Sequence, residues 1–128
     1  MPDLGTVTLT EEIFNSIKKI KFDWISVSGG GDAGKATKTT TGVYTGEIIR
    51  LVTDPGAAPN APSDNYNVLV NDEDGNDVLM GAGAARDEAN TEQILASSLG
   101  CVANDKLSLS INSAGNAKQG SVILYIRP

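Results

Sequence analysis

Hydrophobic and polar residues alternate with a period of two along most of this chain. Ile20, Phe22 and Trp24 alternate with Lys21 and Asp23, and Tyr66, Val68 and Val70 recur at every second position of a later run. Leu107, Leu109 and Ile111 alternate with serines. Successive side chains of a strand point to opposite faces, so each run predicts a strand with one buried face. Val7 and Leu9 alternate with Thr6 and Thr8 in the same way. Behind the Pro and Gly of Met1–Gly5, they predict an extended N-terminal arm over 1–9 that ends as a short strand. Val122–Ile126 is an unbroken apolar run, the pattern of a central strand buried on both faces.

Two segments depart from that period. Thr10-Glu11-Glu12 followed by Ile13, Phe14, Ile17 and Ile20 has helical spacing, with acids at its start and Lys18-Lys19 at its end. This predicts a short helix over about 10–17. Asn90-Thr91-Glu92-Gln93 has the form of a capping box, with Ile94, Leu95 and Leu99 as an apolar face and Gly100 as a stop. It predicts a second helix.

Turns separate the strands. Ser28–Gly34 carries four glycines and predicts a mobile tip joining the two arms of a long hairpin over 18–53. Pro55, Gly56, Pro59 and Pro62 make 54–64 a surface loop. Asp72–Asn76 is a turn, and Asp77–Met80 a short return strand. The expected architecture is a mainly β, single-domain β-sandwich or barrel of about seven strands, with one or two short helices. Residues 1–9 form the arm and 10–128 the domain.

At 128 residues the chain has the size of one domain. Its net charge of −6 repels phosphate backbones and argues against a nucleic-acid partner. No run nears the roughly 18 apolar residues of a membrane helix. The opening Met1–Gly5 has neither the basic nor the apolar region of a signal peptide, so folding in a reducing cytosol is expected.

Candidate chemistry is sparse. The chain contains no histidine, which removes the commonest general base, the Ser-His-Asp and Cys-His arrangements and most zinc sites. Cys101 is a lone cysteine, expected as a small buried apolar residue. Gly29-Gly30-Gly31-Asp32-Ala33-Gly34-Lys35-Ala36 nearly spells a phosphate loop. Ala36 stands where the Mg²⁺ ligand should be, and a Thr-rich strand follows where a helix should open. Asp72–Asp77 offers carboxylates to a hard cation but lacks the offsets of a helix-loop-helix calcium site, so an acidic hairpin turn is expected. Asp87 and Glu88 precede the second expected helix and read as its electrostatic cap. No catalytic, cofactor-binding or metal residue is assigned. Leu4, Val7 and Leu9, apolar residues ahead of the first element, are the candidate partner interface, docking in trans as an added strand. An edge strand of the protein's own sheet is the alternative.

The run Tyr66-Asn67-Val68-Leu69-Val70-Asn71-Asp72-Glu73-Asp74-Gly75-Asn76-Asp77-Val78-Leu79, then Gly81-x-Gly83-x-x-Arg86-Asp87 and Asn90-Thr91-Glu92, resembles small virion proteins of tailed bacteriophages of the head decoration or capsid cement kind. Val7–Glu12, Lys18–Phe22, Gly115–Lys118 and Ile123-x-Tyr125-Ile126-Arg127 extend the resemblance over nearly the whole chain. It implies a β-rich protein without cofactors, made in the host cytoplasm and bound to the outer head surface. Its partners would be the major capsid protein and itself, as a trimer or dimer. The alternatives are a tail or head–tail connector component and a carbohydrate-binding β-sandwich. The last would need Trp24, Tyr44, Tyr66 or Tyr125 exposed on a concave face.

Overall fold

A computed structural model describes residues 3–128. The period-two pattern becomes nine strands: β1 (Thr6–Phe14), β2 (Ile17–Ile25), β3 (Ala36–Thr39), β4 (Tyr44–Pro55), β5 (Asn67–Asn71), β6 (Glu92–Leu95), β7 (Cys101–Asp105), β8 (Ser108–Asn112) and β9 (Gln119–Arg127). They form two antiparallel sheets. The larger runs β1-β2-β9-β4, with β6 and β7 sharing the far side of β4, and the smaller runs β3-β8-β5. The fold is mainly β, as expected, with nine strands among the described residues where about seven were predicted.

The core lies between the sheets. Ile20, Phe22 and Trp24 of β2 meet Val122, Leu124 and Ile126 of β9 and Ile48 and Leu51 of β4. Val68 and Val70 of β5 with Leu109 and Ile111 of β8 close it from the small sheet. Trp24 and Tyr66 pack with ring centroids 5.7 Å apart. Burial pushes the Tyr66 phenol up to about 12. The β9 run is buried on one face only, since Ile123 and Tyr125 are half-buried on the outer face.

Neither predicted α-helix forms, and the described residues hold only a 3-10 turn at Ala96–Ser98. Residues 10–17 belong to a β1–β2 hairpin that turns at Asn15-Ser16, with Phe14 opposite Ile17. Asn15 takes the left-handed conformation that asparagine tolerates better than most residues. The helical spacing was coincidental: Ile20 is buried, while Ile13 and Phe14 are exposed. The β-branched run Thr6, Val7, Thr8, Thr10 favours a strand, and a neighbouring strand supplies the ladder. At 92–95 the true period is also two, with Glu92 and Ile94 half-buried and Gln93 and Leu95 exposed. Glu92 caps no helix; its carboxylate accepts the Asp87 N–H at 2.8 Å. Asp87 closes a local turn by accepting the Asn90 N–H at 3.1 Å.

The long 18–53 hairpin is replaced by a crossover. β2 pairs with β1 and β9, while β3 joins β8 in the other sheet. The glycine loop carries the chain between sheets and is tied down at its base. Val27 N–H donates to the Lys35 carbonyl, Gly34 N–H to that of Val27, and Ala114 N–H to that of Gly34. Asp77–Met80 is a turn bridged at Asn71 and Asp77, not a return strand.

Candidate interaction surface

The N-terminal arm expected over 1–9 is, from Thr6 onward, part of the domain's own sheet; Met1 and Pro2 lie outside the described residues. β1 runs without a break past Thr10 to Phe14. Of the three residues assigned to a partner, Val7 and Leu9 pack against the protein's own core. Leu4 is tied to β3, its N–H donating to Thr37 Oγ1 at 2.7 Å and its carbonyl accepting the Thr37 N–H at 2.9 Å. The edge-strand alternative describes this segment from Thr6 onward, so the side chains of Val7 and Leu9 face inward.

What β1 does present is its backbone and its tip. Ser26 N–H donates to the Lys118 carbonyl, in step with the β2–β9 register. Backbone groups in an antiparallel strand alternate sides, so even residues of β2 face β9 and odd ones face β1. Carried across the β1–β2 register, this turns Thr6, Thr8, Thr10, Glu12 and Phe14 toward β2. The N–H and C=O groups of Val7, Leu9, Glu11 and Ile13 therefore point away from the sheet.

At the tip, Ile13 is 70 %, Phe14 54 % and Val43 51 % exposed. Ile13 and Val43 share a shallow cleft with Glu12, Lys18 and Gly42. Glu11 holds this end in shape. Its carboxylate accepts Thr41 N–H at 2.9 Å and Gly42 N–H at 3.0 Å, and also the Tyr44 hydroxyl. Partial burial alone would raise the Glu11 pKa, but the bonds from Tyr44, Thr41 and Gly42 outweigh it and hold the carboxyl below its ordinary value. The Tyr44 phenol is pushed up in turn, by burial and by the Glu11 carboxylate. The loop displaying Val43 is thus clamped to the strand displaying Ile13.

The other candidates do not converge on this surface. Trp24, Tyr44 and Tyr66 are buried, so they offer no sugar-stacking platform. Tyr125 lies on the outer sheet face between Arg50, with Cζ 5.0 Å from the ring centroid, and Lys19, with Nζ at 5.9 Å. Lys35 sits 3.6 Å from Asp32 and leads into strand β3, which is not phosphate-loop geometry. Cys101 is exposed, against the expectation of burial, because it falls on the outward phase of β7.

Carboxylate oxygens of Asp72, Asp74 and Asp105 lie within 4.8 Å of one another. One Asp72 oxygen already accepts the N–H groups of Asp74 and Asn76, at 3.0 and 2.9 Å. Partial burial, the hydrogen bond with Glu73 and repulsion from Glu73, Asp72 and Asp74 raise the Asp105 pKa. Sequence reading found this turn but not Asp105, which pairing with Tyr44 at the far end of β7 brings to it. The tip was missed as well, because Ile13 and Phe14 were spent on a predicted helix. Compared with known protein families, with curated proteins and with solved structures, the chain matches none.

Proposed function

We propose that this chain is a structural protein of a phage head, a decoration or cement subunit that docks on the outer surface of the major capsid protein and stiffens the shell. The observation that carries the reading is the large apolar surface held out to solvent at Phe14, at the end of β1, and at Val43, on the loop that Glu11 clamps to β1. Fully burying one such side chain stabilises a contact by about 1.5–3 kcal/mol. A homo-oligomer, dimer or trimer, presents several tips at once. The second contact then forms at the effective concentration set by the first, so modest contacts add into a durable clamp.

The test is co-sedimentation of the purified chain with expanded and unexpanded shells. The double substitution Phe14→Ser and Val43→Ser should weaken binding to expanded shells by more than about tenfold, equivalent to roughly 1.4 kcal/mol. Its melting temperature should stay near that of the parent, because both side chains are exposed. Unchanged binding, or no binding by the parent chain, overturns the reading.

A further inference from the structure

Three of the four sheet edges are blocked. The edge of β5 is covered by the 77–86 segment: Val68 N–H donates to Gly83, Arg86 N–H to Tyr66 and Val78 N–H to Val70. β3 has four residues and is met by Leu4. The far side of β4 carries only the short β6 and β7, with a register shift between Tyr44 and Gly46. Among the described residues, no segment covers β1, and it is neither short nor shifted in register. Its nine residues, Thr-Val-Thr-Leu-Thr-Glu-Glu-Ile-Phe, pair with β2 in unbroken register and include no Pro or Lys. Open edges of this length are ready templates for another strand, and proteins ordinarily blunt them.

We propose that this edge is a self-association surface, where a second copy of the chain adds its own β1 antiparallel about a two-fold axis at Thr10. The sequence of β1 itself selects that occupant and register. Only the backbones of Val7, Leu9, Glu11 and Ile13 face outward, so odd residues must meet odd residues. With Thr10 on the axis, Val7 meets Ile13 and Leu9 meets Glu11, each twice, and every free group is used. Two bonds per narrow pair give about eight across the junction. Val7 opposite Ile13 covers an exposed side chain with an apolar one, and Glu12 meets Thr8. Moving the axis to Glu11 sets two glutamates directly opposite, which is unfavourable. Moving it to Leu9 leaves Ile13 unpaired. The isologous contact closes on itself, so it yields a dimer rather than a fibre.

This inference rests on the self-association in the proposed function, not on the identity of the larger assembly. Pairing spends Ile13 and leaves Phe14 and Val43 displayed at opposite ends of one continuous sheet, a bivalent arrangement.

Sedimentation equilibrium of the full chain at roughly 10–200 µM should show a dimer. Thr10 is exposed and faces Lys21 within its own chain, so Thr10→Asp is compatible with the monomer fold. It places like charges together on the axis and should weaken dimerisation by at least about tenfold. Thr10→Lys should do the same, and mixing the two variants should restore a dimer. With Cys101→Ser as background, Thr10→Cys should form an intermolecular disulfide readily, since facing residues in a wide pair have Cα atoms about 4.5 Å apart. Glu12→Cys should not. A strictly monomeric parent chain overturns the proposal, as does a dimer indifferent to Thr10→Asp, cross-linking at Glu12→Cys but not Thr10→Cys, or an edge that captures only a strand of another protein. Shell binding retained by a monomeric Thr10→Asp chain separates the fates of the two readings: the tip would stand, while the parent's sedimentation would decide the edge.

Discussion

The two margins of the large sheet are built on opposite plans. Along β4 the margin is broken into a four-residue and a five-residue strand separated by a 3-10 turn, and the pairing of the second carries a register shift next to Gly46. Asp105 at its end faces the carboxylates of Asp72 and Asp74. Shortness, irregularity and like charge are all devices that keep a margin from recruiting a stranger. Along β1 the margin is long, regular and uncharged until Glu11. Both margins border the same sheet, so the sheet alone does not set this difference. One end of the molecule is closed to strand addition and the other is left available.

The firmest way to break this comparison is to ask whether β1 belongs to the domain at all. Deleting residues 2–8 removes the Thr6–Thr8 stretch of the β1–β2 ladder, the half-buried Val7 and both Leu4 bonds to Thr37. Several backbone bonds at about 1 kcal/mol each, plus about 1 kcal/mol for Val7, put the loss at several kcal/mol. Thermal melting should fall by more than ten degrees. A melting curve that does not move would make β1 a detachable arm after all.

On the protected margin the corresponding residue is Gly46. Its φ of +145° lies outside what side chains readily adopt, and a β-carbon there would clash with the Arg127 carbonyl oxygen. Gly46→Ala should cost about 2–3 kcal/mol, by strain and overpacking together, measured by urea unfolding. If it is tolerated, the irregularity of this margin is not anchored at Gly46.

Glu11 sharpens the comparison from the open side, since it locks a regular edge to a turn. Glu11→Ala strands two N–H groups and the Tyr44 hydroxyl and should cost about 1–3 kcal/mol. Its folded-state pKa is lowered, so its contribution is fully present above the unfolded value near 4.3 and is lost as pH falls through the lower folded value. The gap between parent and variant in pH-dependent melting should therefore close only in acid. A gap that persists below both values would place the effect in packing rather than in the carboxylate.

How much of this could be read from the sequence follows the reach of the forces involved. Ile20-Phe22-Trp24 and Leu107-Leu109-Ile111 stated their strands because alternation is local and their buried faces are uniform. Residues 10–17 did not, since Ile13 and Phe14 are apolar yet exposed and mimic the face of a helix. The 92–95 strand is set by the free side of β4, forty residues away in sequence. Leu4, Val7 and Leu9 were read as free for a partner, whereas Val7 and Leu9 pack against the core and Leu4 is tied to Thr37. Side chains advertise themselves in a sequence, whereas the outward backbone of an edge depends on which neighbours are missing.

The smallest effect concerns the charge at the closed margin. Partial burial, the hydrogen bond with Glu73 and repulsion from Glu73, Asp72 and Asp74 raise the Asp105 pKa in the folded state. A carboxyl raised in this way adds most to stability while protonated, and that contribution is lost as pH rises through its folded value. Asp105→Asn fixes the side chain in a neutral form of the same shape. The variant should melt slightly above the parent at neutral pH and together with it below the unfolded carboxyl range. Because the group lies at the surface and is only partly buried, the difference should be no more than a few degrees and should shrink in salt, where surface charges are screened. Loss of one guard charge should leave the chain's association state as it was, since the short strands and the register shift remain. If Asp105→Asn instead destabilises, and calcium raises the melting point of the parent alone, the three carboxylates hold a cation and charge is not what guards this margin.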